Sequence, residues 1–107
     1  MQIRDLLPIA PLLFSRSPLQ LAAMDKDKIK ARRERRQQFL RTLYEEVDGS
    51  VNEFIDGLEL ASGLGADVAE GRRIIAYLEE KGLLKVDDHK AGIIRITADG
   101  VDAVETE

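Results

Sequence analysis

Between Asp56 and Leu84 the chain reads DGLELASGLGADVAEGRRIIAYLEEKGLL, and this stretch most narrows what it can fold into. Asp56 is placed to cap a helix, with Glu59 three residues on to complete a capping-box pattern. Leu60, Ala61 and Leu64 fall at i, i+1 and i+4 on one face of it. Gly63 and Gly65 stop it, because glycine tolerates the left-handed conformation a helix end needs. Asp67 caps a second helix, expected over 67–81, again with Glu70 at its third position. Gly71, Ile75 and Leu78 share one face there, with Ile74 at its edge. Gly82 ends the helix after Lys81, a cation where the helix dipole favours one. Two short helices are therefore forced to meet across a glycine turn.

The residues that follow add a hairpin. Leu83 to Asp87 and Gly92 to Thr97 are short β-prone runs around Asp88-His89-Lys90-Ala91. Ile94 and Ile96 alternate with Ile93, Arg95 and Thr97, the period of a half-buried strand. Thr97 caps a last short helix carrying Val101 and Val104.

Before the turn, Asp25 to Asp48 is expected as one long helix. Its core stripe is Phe39, Leu40, Leu43, Tyr44 and Val47. Its first half is basic instead, with Lys26, Lys28, Lys30, Arg32, Arg33, Arg35 and Arg36, and Arg41 follows. Gly49 and Ser50 end it. Phe54-Ile55 is expected as a short strand, the alternative being a further helical turn capped by Ser50 with Glu53.

The order helix, helix, hairpin, helix resembles the winged helix-turn-helix family. The resemblance is carried by Glu59-Leu60-Ala61 with Leu64-Gly65, by Tyr77-Leu78-Glu79-Glu80-Lys81-Gly82-Leu83-Leu84, and by Ile96-Thr97 with Gly100. With the preceding helix it covers about Gln37 to Glu105. It implies a small α+β fold: a three-helix core, a β-hairpin wing and a short C-terminal helix. It also implies double-stranded DNA as partner, with helix 67–81 in the major groove and wing 84–97 on the backbone, in transcriptional regulation, commonly as a homodimer.

The chain has 107 residues, enough for one small domain and a tail. Residues 1–23 hold all three prolines, Pro8, Pro11 and Pro18, which forbid a continuous helix through them. One reading is an export signal, with Leu6 to Phe14 as its apolar run and Ala22-Ala23 as the cleavage site. Two prolines break that run and Asp5 offsets Arg4, so the favoured reading of residues 1–23 is a disordered leader, or a start mis-assigned ahead of translation at Met24. The winged-helix domain is then 24–107. No cysteine and one histidine exclude disulfides and zinc sites built on Cys and His, and fit a reducing cytoplasm. No apolar run reaches the length of a membrane span.

Charge is divided unevenly. Residues 1–41 carry ten Lys/Arg against four Asp/Glu, and residues 42–107 carry six against sixteen. The balances, +6 and −10, give the net −4 of an acidic domain with a basic arm.

The outward residues of helix 67–81 are Ala69, Glu70, Arg72, Arg73, Ala76 and Tyr77. Arg72 and Arg73 have the chemistry to bind guanine bidentately or to clamp a phosphate. Lys85, Lys90, Arg95 and His89 lie on the hairpin, where a wing touches backbone. Arg32, Arg33, Arg35 and Arg36 on the arm supply phosphate neutralisation. Against this, Glu70, Glu79, Glu80, Asp87 and Asp88 repel phosphate. The alternative is therefore a protein-interaction module of a larger assembly, with Arg41 to Glu46 and the last helix as a dimer or partner surface. Nothing points to an enzyme or a cofactor. His89 has no nucleophile or metal partner in view, and Gly63-Leu64-Gly65 lacks the strand and Lys-Ser/Thr of a phosphate loop.

Overall fold

Helix α1 spans Pro18–Val47 and so begins before the expected start at Asp25. Pro18 stands at its first position, where a missing N–H removes no helical bond. The computed structural model describes residues 18–107, with side-chain surroundings from residue 25 on. The leader reading therefore lies, as far as residue 17, outside the described residues. The chain divides into two units, Met1–Arg32 and Arg33–Glu107. Residues 25–32 are helical and exposed throughout.

In the second unit, α1 buries Phe39, Leu40, Leu43 and Val47, four of the five residues of its expected stripe. Tyr44 is only half-buried, because its hydroxyl reaches the surface to donate to Glu105 Oε2 at 2.7 Å. That carboxylate holds the Tyr44 phenol above its usual pKa.

A short strand, β1 (Ile55–Asp56), precedes α2 (Gly57–Gly63). The strand sits one residue later than expected. Asp56 pairs across to Ile93 and then turns its carboxylate to cap α2, accepting from Leu58 N and Glu59 N. Among the described residues Glu59 returns no bond to Asp56, so the cap works in one direction only. Helix α2 is stopped by Gly65 alone, at φ +92; Gly63 is its last helical residue. The bonds Gly65 N to Ser62 O and Ala66 N to Ala61 O close a Schellman motif. Leu60 and Leu64, expected on the core face with Ala61, are half-buried and only Ala61 is fully enclosed.

Helix α3 (Val68–Glu80) is capped by Asp67, whose carboxylate accepts from Glu70 N at 2.8 Å. It buries Gly71, Ile74, Ile75 and Leu78. It ends in the same pair of bonds as α2, Gly82 N to Glu79 O and Leu83 N to Leu78 O. Strands β2 (Leu84–Asp88) and β3 (Ile93–Ile96) follow, each starting one residue later than expected. The sheet is antiparallel in the order β1-β3-β2. Leu84 faces Ile96 and Val86 faces Ile94, and a bulge at Asp87 shifts the register to Asp88 against Ile93. Leu84, Ile94 and Ile96 close the core against the helices.

Helix α4 (Ala98–Glu105) starts at a junction where four elements meet. Thr97 Oγ1 accepts from Gly100 N at 3.0 Å and donates to Gly82 O at 2.6 Å, and Thr97 N donates to Leu83 O. The first turn of α4 lies so close to the Leu83 carbonyl that a Cβ at Gly100 would overlap its oxygen. The described residues thus form a small α+β domain of four helices and one three-stranded antiparallel sheet.

Gly100→Ala is expected to destabilise the fold by about 1–3 kcal/mol, because a rigid backbone group, not a pliant side chain, blocks the added methyl. Gly63→Ala is the opposite case. Nothing lies within 4 Å of its Cβ position, so it should stabilise by about 0.5–1 kcal/mol. Urea denaturation of both variants beside the parent measures the two signs.

Candidate nucleic-acid interface

Of the residues expected to face outward from α3, Ala69, Arg72, Arg73, Ala76 and Tyr77 are exposed and Glu70 is half-buried. The helix pattern was therefore a good guide to the face. It was a poor guide to what the side chains do on it.

Arg72 is committed to the chain itself. Its two terminal nitrogens donate to His89 O at 2.9 Å and Lys90 O at 3.0 Å, on the hairpin turn. The same turn is held from inside by Asp88, whose Oδ1 accepts from Lys90 N and Ala91 N while its carbonyl accepts from Gly92 N. Asp88 thus satisfies the turn's amides and Arg72 its carbonyls. His89 adds a contact from Nε2 to Glu79 Oε2 at 3.5 Å. Arg72, expected to meet a base or a phosphate, is in this structure hydrogen-bonded to the turn and fastens the hairpin tip to α3.

The other expected contacts divide by what they touch. Arg95 Nε donates to Asp87 Oδ2 at 3.2 Å, and its guanidinium lies 5.9 Å from the centre of the Phe54 ring. The bulge at Asp87 accompanies this pairing, whose partners are both partly exposed and which is worth little in stability. Arg35 pairs with Glu70 at 3.4 Å, so Glu70 answers a cation on α1 instead of completing its capping box. Arg36 stacks on Tyr77, 4.1 Å from the ring centre. Lys85 and Lys90 keep exposed side chains on the hairpin. Arg73 is exposed and, among the described residues, forms no ion pair or side-chain hydrogen bond. Arg32 is an exposed helical residue of the first unit.

The structure gathers Arg33, Arg36 and Tyr77 with Lys81 around a cleft of about 400 Å³ floored by Leu40, Leu78 and Leu83. From the sequence alone, Lys81 is expected only to favour the helix dipole. The signal that it joins the arginines is its spacing from Tyr77, four residues on along α3. The surface expected to serve a dimer or partner, Arg41 to Glu46 with the last helix, is partly used within the chain. Arg41 donates to Glu107 at 2.6 Å and Tyr44 to Glu105, which hold the C-terminal end on α1. No described helix is long and apolar enough to cross a membrane.

Comparison with protein-family models, curated proteins and solved structures finds no match.

Arg72→Ala is expected to free the hairpin tip. Amide exchange at Lys90, Ala91 and Gly92 should accelerate while that of α3 is kept, and global stability should fall by about 1 kcal/mol, since two charge-assisted but exposed bonds are lost. Hydrogen exchange followed by NMR reads both. Unchanged exchange at the tip would show that the turn holds itself.

Proposed function

We propose that the chain is a small winged-helix DNA-binding protein of the regulatory kind, with α3 in the major groove and the β2–β3 hairpin as a wing along the backbone. The observation that carries this reading is the pair of hydrogen bonds that Arg72 donates to the turn. It joins helix and hairpin into one preformed surface, and a surface ordered in advance loses less entropy on binding. Arg73 is the cation on that surface left to meet a base edge or a phosphate. Lys85 and Lys90 supply backbone contacts, and the arm arginines add affinity independent of sequence. Glu79, Glu80, Asp87 and Asp88 oppose binding to any phosphate not held in register, which favours selection among sites over raw affinity.

A second reading has a specific observation behind it. Val68, 62% exposed, and Tyr77, 42% exposed, place apolar surface on the outer side of α3, as a protein-interaction helix would. The two readings differ in their salt dependence.

Titration against mixed genomic duplex, then a selected site, over several salt concentrations is the test. Arg73→Ala should weaken binding to the selected site by about 1–3 kcal/mol if it reads a base, or lower the salt slope by about one if it meets a phosphate. Arm substitutions at Arg33 and Arg36 should weaken all sequences alike. Binding that stays undetectable at low salt favours the protein partner.

A further inference from the structure

The acidic half of the charge division is not explained by DNA. It has a geometric counterpart in a groove of about 410 Å³ between α1, β1 and α2. The floor is apolar, with Phe54, Ile55, Leu60 and Leu64, and Glu46, Asp56 and Glu59 stand around it. Phe54 is 61% exposed, an aromatic ring left largely in water beside three carboxylates. Glu46 and Glu59 form no ion pair among the described residues, and Asp56 is turned to the α2 amides. Within the second unit the Arg95 guanidinium approaches one side of this ring, 5.9 Å from its centre, and most of the ring stays open to solvent.

The chain also carries a surface of opposite make. Along α1, Lys26, Ile29, Lys30 and Arg33 fall at i, i+3, i+4 and i+7, one face of a helix, and all four are exposed. Ile29 is 54% exposed, an apolar side chain among three cations. Both features are exposed apolar residues ringed by three charges, and the charges are opposite in sign. An exposed isoleucine or phenylalanine taken singly needs no explanation; two with complementary surroundings on one chain do.

We infer that the groove of one chain receives the Lys26–Ile29–Lys30–Arg33 face of a second copy, and that the second copy's groove receives the first chain's face in return. Reciprocal exchange closes a two-fold dimer without leaving a free sticky end. Ile29 is set against Phe54 and Leu60, and Lys26, Lys30 and Arg33 stand against Glu46, Asp56 and Glu59. Exposed ion pairs are weak and screened, so the dimer must loosen as salt rises. The inference does not depend on DNA binding and survives its failure, since only the oligomeric state is read.

The test is a charge swap, with sedimentation equilibrium of the full chain. One variant reverses the groove, Glu46→Lys with Glu59→Lys. The other reverses the helical face, Lys26→Glu, Lys30→Glu and Arg33→Glu. Each alone should dimerise at least about tenfold more weakly than the parent. An equimolar mixture of the two should regain a dimer, because each arm now meets a groove of opposite sign. Circular dichroism checks that both are folded. Ile29→Ser, which lies outside the second unit's core, should also weaken the parent dimer. A parent that stays monomeric at every concentration, or a mixture no more associated than its components, overturns the inference. So would cross-links between arm and groove found only within single chains when labelled and unlabelled copies are mixed.

Discussion

The junction at Thr97 is the constraint on which the second unit depends. Its hydroxyl ties the end of α3, through Gly82 O, to the start of α4, through Gly100 N, and its amide holds Leu83 O where β2 begins. Gly100 lets the helix come down onto that carbonyl. With the junction made, β2 must leave α3 at a fixed angle, and Leu84, Ile94 and Ile96 are carried under Ile75 and Leu78. A misplaced junction would move the hairpin relative to α3, and Arg72 would no longer reach the turn.

Arg72 turns that packing into a surface. Helix α3 is held by core contacts on one side, yet a hairpin tip beyond the sheet has no core of its own. Gly57 N holds the base of the turn through Gly92 O, and hydrogen bonds from the Arg72 guanidinium to two successive carbonyls hold its exposed tip. Asp88 fixes the turn locally, and Arg72 fixes where the turn sits. Two of the other expected contacts are held in ion pairs, Arg35 with Glu70 and Arg95 with Asp87. Arg73, Lys85 and Lys90 stay exposed on the outer surface.

What was legible in the sequence was local. Asp56, Asp67 and Thr97 cap the helices they precede, and Gly82 ends α3, because each acts on backbone groups within a few residues. The buried faces of α1 and α3 followed from spacing, since burial obeys the helical period. Gly63 was misassigned because two glycines competed for one stop, and only the bonds of Gly65 and Ala66 decide between them. The contacts of Arg72, Arg35 and Arg36 were not legible. Their partners lie 17 or more residues away in the chain, and those of Arg72 are backbone carbonyls, which carry no residue identity to read. Charge type predicted where cations stand, but pairing decides which remain able to meet a ligand.

The central claim is that α3 and the fastened hairpin act as one DNA-binding surface. An NMR titration of the isotope-labelled chain with a selected duplex at low salt tests it most directly. The account predicts that the largest shifts fall together on Val68, Ala69 and Arg73 of α3 and on Lys85 and Lys90 of the hairpin, with Arg72 still bonded to the turn. Shifts confined to the Phe54–Leu64 groove, or a hairpin that moves without α3, would contradict it.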